Sequence, residues 1–449
     1  MKTYISDIID RIGVPKLTIA VFLMCGITML FDGYDNMIVS YTMPQIAKEW
    51  ALSPVLTGSL VSWGLLGLLV GGFCAGVLSD AIGRKKTLIL SCLLYSLFSG
   101  LIYFAQSFET FAVFRVLSGF GLGACLPVSI TLVSEYVPTK NRGVFVTSIF
   151  AFFLAGWVVA GIVAMFVVPA LGWRFCYLIG AVPALYAIVL AIYQLESTRW
   201  LLMKGHEAAA FALLNRLERS ANATVTNFTP GSITIPAQPA VVGPAALFTR
   251  QFLRYTVSLA LIYFFGSMIV YGVTGWLPSL FMAKGMTVVK SYSLAVGTNT
   301  AAVLAGILSG YVGDRIGRKA TLMIGFGVAG IVVVLFGYSS STGQLIASSV
   351  LFGFFANFAL TGVQPMLVET YPTAFRNTGV AFSQAFGRLG SMSGPLAAGF
   401  AQGIGFGFTG TLAMFVMPAI ICVIILLFFK RETKGKTLEV LAQEIMTKG

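Results

Sequence analysis

Charge is scarce in this chain: 10% of its 449 residues are Asp, Glu, Lys or Arg, against about 25% in a soluble domain. Histidine is nearly absent. The one copy, His206, falls in a central polar stretch where a surface role is expected, so any proton coupling must use carboxylates. The six cysteines, Cys25, Cys74, Cys92, Cys125, Cys176 and Cys422, stand singly in or beside apolar runs. None forms a metal-like pair, which leaves small buried packing as their reading. No nucleotide loop, metal cluster or nucleophile arrangement is visible, and an enzyme therefore has the least support. A small-residue cleavage site is also missing after Lys2, Asp7, Asp10, Arg11 and Lys16, so a removed signal peptide is not expected. The formal charge of +13 would suit nucleic acid, but the cations sit in short loops between apolar runs. Anchoring to an anionic leaflet accounts for them, and no nucleic-acid partner is expected.

Apolar residues are what the chain has, at 57%. Runs able to cross about 30 Å of hydrocarbon fall near 17–45, 55–79, 87–104, 109–134, 144–168, 173–195, 253–282, 291–313, 320–338, 343–368, 376–400 and 408–429. An all-α membrane protein of twelve transmembrane helices in two pseudo-symmetric six-helix bundles is expected. The division is 1–202 for the first bundle, 203–250 for a cytoplasmic linker, and 251–449 for the second bundle with its tail. Within the linker, Gly205 to Ser220 reads as a short amphipathic helix and Ala221 to Gly243 as irregular. The pattern Asn-x-Thr at Asn222 and Asn227 carries little weight on an inner face. Arg84, Lys85, Lys86, Lys140, Arg142, Arg315, Arg318, Lys319, Arg376, Lys430, Arg431, Lys434 and Lys436 fall on the face that bears the termini, which the positive-inside rule makes cytoplasmic.

The two halves repeat. Gly76, Asp80, Gly83, Arg84 and Lys85 return in the same spacing as Gly310, Asp314, Gly317, Arg318 and Lys319. Glu135, Pro138, Thr139 and Arg142 keep the same offset to Glu369, Pro372, Thr373 and Arg376. Duplicated halves made mostly of spans are the signature of a secondary transporter. A carboxylate at a span end can hold a loop cation and release it when the halves rock, so Asp80, Arg84, Asp314 and Arg318, with Glu135, Arg142, Glu369 and Arg376, are assigned to gating.

Charges inside the apolar runs mark the pathway, because they are costly in hydrocarbon unless they face a wet interior or a partner. Asp32 and Asp35 lie three residues apart in the first run and can share one helix side. They suit a carboxylate loaded from one side and unloaded to the other; pairing with buried cations is the plainer alternative. Arg388, flanked by Gly387 and Gly390, offers a planar donor fork to an anionic substrate, or else balances a buried acid. Arg115 is either an inter-helix brace or part of proton coupling. Tyr34, Trp276, Asn357, Gln364 and Gln384 are candidates for the remaining pocket, with aromatic faces for a flat ring and amides for its oxygens.

These motifs give the chain a resemblance to the major facilitator superfamily across essentially all of its runs, carried by the doubled Gly-x-x-x-Asp-x-x-Gly-Arg-Lys loop. Asp32-Gly33-Tyr34-Asp35 resembles the Asp-Gly-aromatic-Asp motif of the aromatic acid:proton symporters. That resemblance implies alternating access, coupling at Asp32 and Asp35, and substrate contact at Arg388. Glu196-Ser-Thr-Arg199-Trp200, and Glu432-Thr-Lys-Gly435 with Thr437-Leu-Glu439, resemble sugar porters and nicotinate carriers instead. Thr198 and Arg431 depart from that pattern, which has proline at these places. The expected function is proton-coupled uptake of a benzoate-like or other aromatic or heteroaromatic carboxylate across the bacterial inner membrane, by a monomer without a cofactor. A sugar:proton symporter is the alternative.

Overall fold

The computed structural model describes residues 3–223, 226, 228, 233–234, 244–371 and 375–429. Pro372, Thr373, the acceptor positions Thr224 and Asn227, and the tail motif from Lys430 through Glu439 lie outside the described residues. Among the described residues, eleven helices are long and apolar enough to cross a membrane: Lys16–Glu49, Pro54–Ile82, Arg84–Phe104, Phe108–Tyr136, Arg142–Leu171, Arg174–Tyr193, Leu253–Ala283, Val288–Ile316, Arg318–Gly337, Thr342–Thr370 and Gly407–Phe428. Arg376–Gly403, a 28-residue helix, completes the expected twelve as the eleventh span in chain order. Its glycines, serines and Arg388 make it less apolar than the others. The fold is the all-α multi-pass architecture the runs predict.

Proline explains why three spans are interrupted. A proline ring clashes with the carbonyl four residues earlier and supplies no N–H. The fourth span divides into Phe108–Leu122 and Cys125–Tyr136, four residues ahead of Pro127. The sixth divides after Ile179, four ahead of Pro183, and the twelfth around Met414, four ahead of Pro418. Starts are capped where the sequence supplies a hydroxyl: Ser107 accepts from Thr110, Thr287 from Lys290, and Ser341 forms a capping box with Gln344. Large apolar side chains such as Phe73, Val77, Leu185 and Phe166 point outward, as lipid-facing residues must.

Two compact units emerge from the packing. The first comprises the chain up to Asn36, Leu66–Gly156, and Tyr177 into the linker; the second comprises Met37–Leu65, Trp157–Cys176, and the chain from 239 in the linker onward. In the first unit, Gly33 and Gly156 let the first and fifth spans touch backbone to backbone. A Cβ at Gly33 would meet the Phe153 carbonyl, and one at Gly156 the Leu30 carbonyl. In the second unit, Gly58 and Gly399 play the same part, against the carbonyls of Pro395 and Pro54.

The linker helix is Glu207–Ser220, with His206 exposed at its start. A feature the sequence reading did not anticipate is a short amphipathic helix, Ile5–Ile12, which buries Ile5, Ile8, Ile9 and Ile12. Arg11 pairs with the fully buried Glu218 of the linker helix at 2.6 Å, and Asp10 accepts from the Thr139 backbone and hydroxyl at 2.6 and 3.0 Å. Thr3–Tyr4 and Ile233–Thr234 add a two-residue parallel pairing. Of the cysteines, five are buried as expected; Cys74 is the exception, exposed on the outside of the second span.

Replacing Gly33 with Val forces a side chain into the Phe153 carbonyl, an overpacking cost of about 1–3 kcal/mol. The variant is expected to lose its sharp monodisperse peak in detergent size-exclusion at temperatures the parent tolerates, whereas Gly76→Val, where a Cβ meets nothing within 4 Å, keeps it.

Candidate functional site

The first unit is organised around one buried carboxylate. Asp35, 1% exposed, accepts from Arg115 Nη1 at 2.9 Å, from the Ser118 hydroxyl at 3.1 Å and from the Ser99 hydroxyl at 2.5 Å. Arg115 also donates to the Asp35 carbonyl at 3.2 Å. Spans one, three and four are thereby joined through a single side chain, and both oxygens of the carboxylate are used. Arg115, 2% exposed, thus ties the fourth span to the first. Asp32, one turn earlier, is 2% exposed and lies in electrostatic reach of Tyr95 and Cys125. Tyr34 is buried beside it on the first span. Ser99 and Ser118 were not anticipated; serine inside an apolar helix is too common to flag without its partner.

In the second unit a chain of amides leads to Arg388. Gln384 Nε2 donates to Gln364 Oε1 at 3.2 Å, and Gln364 Nε2 donates in turn to the Tyr263 hydroxyl. The Tyr263 ring lies where a Cβ on Gly387 would stand, and the Arg388 charge acts on its hydroxyl. Three of the expected pocket residues, Gln364, Gln384 and Arg388, therefore converge, with Tyr263 as the member the sequence did not single out. Two of the other three, Trp276 and Asn357, spend their donors elsewhere. Trp276 donates its indole N–H to the Pro395 carbonyl at 3.0 Å, and Asn357 donates to the Gly353 carbonyl of its own helix at 2.9 Å.

Toward the end of this unit away from the termini, neutral hydrogen bonds hold the helices. Tyr292 donates to the Tyr41 carbonyl at 2.5 Å, and Asn299 Nδ2 donates to the Tyr41 hydroxyl at 3.1 Å. Ser62 donates to the Met392 carbonyl at 2.7 Å. The sequence offered no signal for these contacts, which pair the far end of the first two spans with the eighth and eleventh.

The repeated loops take one shape and two wirings. Gly83 and Gly317 both hold positive φ, 99° and 103°, at the turn into the following span. Arg84 and Arg318 are the first residues of those spans and not, as expected, loop residues. Arg84 reaches back to Asp80 at 2.9 Å, and Arg318 to Asp314 at 2.6 Å. Arg318 also grips Glu369, Nη2 to Oε1, at 3.0 Å. In the first half Glu135, the counterpart of Glu369, forms no ion pair with Arg84 or Arg142 among the described residues, although the Arg84 charge is within its electrostatic reach. Glu196 does the anchoring instead, accepting from the backbone N–H groups of Arg84 and Lys85 at 2.8 and 3.2 Å. Trp200 adds a bond to the Asp80 carbonyl at 3.0 Å, and the Tyr136 hydroxyl donates to the Glu196 carbonyl. The Glu196–Trp200 motif is thus a clamp on the repeated loop. Arg376 donates to the Tyr371 carbonyl at 3.2 Å.

A sequence profile of the family described as "Sugar (and other) transporter" matches residues 16–444. The chain belongs to that family. It is a transporter and not an enzyme, and among the described residues no group of three His, Cys, Asp or Glu is placed to hold a metal. It is 32% identical to the niacin transporter of Acinetobacter baylyi over 96% of this chain and 98% of that one. It is 29% identical to the gallate transporter of Pseudomonas putida over 92% of each. The inward-open structure of the xylose transporter from E. coli shares the fold, with a TM-score of 0.74 at 20% identity over 95% of this chain and 99% of that one.

Removing Arg115 from this family member leaves Asp35 buried without its cation, at a cost of about 3–5 kcal/mol. Arg115→Met is expected to lower the thermal midpoint in detergent, and Asp35→Asn added to it to recover most of the loss. Equal midpoints for the single and double variants would contradict a stabilising ion pair.

Proposed function

We propose that this transporter carries a small aromatic or heteroaromatic carboxylate inward with protons, by alternating access across the bacterial inner membrane with both termini in the cytoplasm. The observation that carries the reading is the donor array at Arg388. A guanidinium beside the Tyr263–Gln364–Gln384 chain supplies charge for a carboxylate and neutral donors and acceptors for ring substituents. The relatives named for niacin, gallate and 4-hydroxybenzoate support it, since each of those cargoes is an aromatic ring bearing a carboxylate.

Asp32 and Asp35 are the coupling acids and Arg115 their cation. A proton added at Asp35 cancels the charge that Arg115 grips and loosens the junction of spans one, three and four. Protonation then favours one access state over the other, which is what coupling requires. The six-helix halves 1–202 and 251–449 are the rocking bodies, and 203–250 joins them. Tyr41, Tyr292 and Asn299 seal the far side; the Arg318–Glu369–Asp314 and Arg84–Asp80 contacts, with Arg376, Glu135 and Arg142 near them, latch the cytoplasmic side. The latch of the second half is the stronger, because Glu369 is partly buried whereas Asp80 and Asp314 are largely exposed.

The test is uptake by the purified protein in liposomes, under an imposed inward proton gradient, with labelled nicotinate, 4-hydroxybenzoate, gallate and glucose. Accumulation of one or more acids that stops when the gradient is collapsed, and that Arg388→Ala and Asp35→Asn each abolish, is the expected result. Glucose accumulation that Arg388→Ala spares would replace this reading with sugar:proton symport.

A further inference from the structure

The first unit contains more buried polar chemistry than its ion pair uses. On the first span, Cys25, Thr28, Asp32 and Asp35 follow one another at helical spacing and are each 2% exposed or less. The third span presents Cys92, Tyr95, Ser96 and Ser99 in the same way, all fully buried. Beyond the Pro127 break, the fourth span continues Arg115 and Ser118 with Cys125 and Ser129. Polar stripes from three packed helices thus run side by side through the interior of one unit, away from lipid.

Part of this lining is unsatisfied by protein. The Tyr95 hydroxyl, the Ser96 hydroxyl and Arg115 Nε are buried and meet no hydrogen-bond partner among the described residues. Buried polar groups seldom stand alone, and bound water is their usual partner. The stripe also has an end. Toward the terminal-bearing face it stops at Cys25, Cys92 and Ser129, beyond which Val21, Leu88 and Leu132 are packed apolar core.

We infer that spans one, three and four of the first unit enclose a file of bound waters beside the Asp32/Asp35 pair, through which protons reach and leave the two acids. Each transfer moves one proton: a protonated Asp32 or Asp35 gives its proton to a water in the file and the carboxylate is restored, and the reverse transfer reloads it. Tyr95 and Ser96 act as positioning residues that hold those waters beside the acids. The route rests on the proposed proton coupling; the bound waters do not.

The first measurement is therefore independent of transport. X-ray radiolytic footprinting of the full-length protein in liposomes generates hydroxyl radicals at bound waters as well as in bulk solvent. Tyr95, Cys92 and Cys125 are expected to be oxidised several-fold faster than Tyr177 and Cys422, which are equally buried and lie outside the file. Equal protection of the two sets overturns the inference even if proton-coupled uptake is confirmed. The second measurement uses Tyr95→Phe with Ser96→Ala. Gradient-driven accumulation of whichever acid the parent carries should fall several-fold while acid exchange at equal pH on both sides is kept. Unchanged accumulation overturns the proton route, as does a parallel loss of exchange in protein that remains monodisperse. A parent that carries no acid with protons defeats the functional reading, and the footprint still decides whether the waters are there.

Discussion

The Asp35–Arg115 contact is the constraint around which the first half is built. A carboxylate and a guanidinium held in the interior of a membrane protein are tolerable only when each satisfies the other and spare lone pairs are filled. Here Ser99 and Ser118 do the filling, so three helices must meet at one register. The close approach of Gly33 and Gly156 brings the fifth span onto the same helix, at the residue next to Asp32. A site that binds its own cation this completely has two energetically distinct states, charged and neutral, and a transporter can use the difference.

The second half solves another problem with other chemistry. Its interior cation, Arg388, acts on the Tyr263 hydroxyl at the end of a chain of amides, whereas Arg115 sits directly on a carboxylate. The duplicated loops tell the same story of one scaffold put to two uses. Arg318 closes on a carboxylate of its own half, Glu369, whereas the Arg84 loop is held by Glu196 through backbone N–H groups. Duplication kept the turn, with its two positive-φ glycines, and let the clamp diverge. A backbone clamp is insensitive to side-chain charge at position 84; the Arg318 ion pair is not.

Much of this was readable before any coordinates. Span number and limits followed from apolar runs because hydrocarbon forces every backbone group into a helix of sufficient length. The importance of Asp32, Asp35, Arg115 and Arg388 followed from the cost of charge in that setting. The three helix breaks were implicit in Pro127, Pro183 and Pro418, although proline alone does not say which helices yield: Pro44, Pro169, Pro278, Pro365 and Pro395 sit in helices that continue. The pocket was only half legible, since Gln364 and Gln384 converge on Tyr263 while Trp276 and Asn357 spend their N–H groups on carbonyls.

By itself the sequence determined the class of the molecule, its topology, its internal repeat and the short roster of charges that must matter, since each is set by local composition against the energetics of a bilayer. Tertiary structure alone decided who partners whom. Whether Arg115 meets Asp35, whether Glu135 or Glu196 serves the first loop, and whether an indole faces a cavity or a carbonyl depend on helix rotation and approach over distances remote in sequence. Those are settled by packing at glycine contacts and by the satisfaction of buried polar groups, neither of which leaves a periodic trace in the chain.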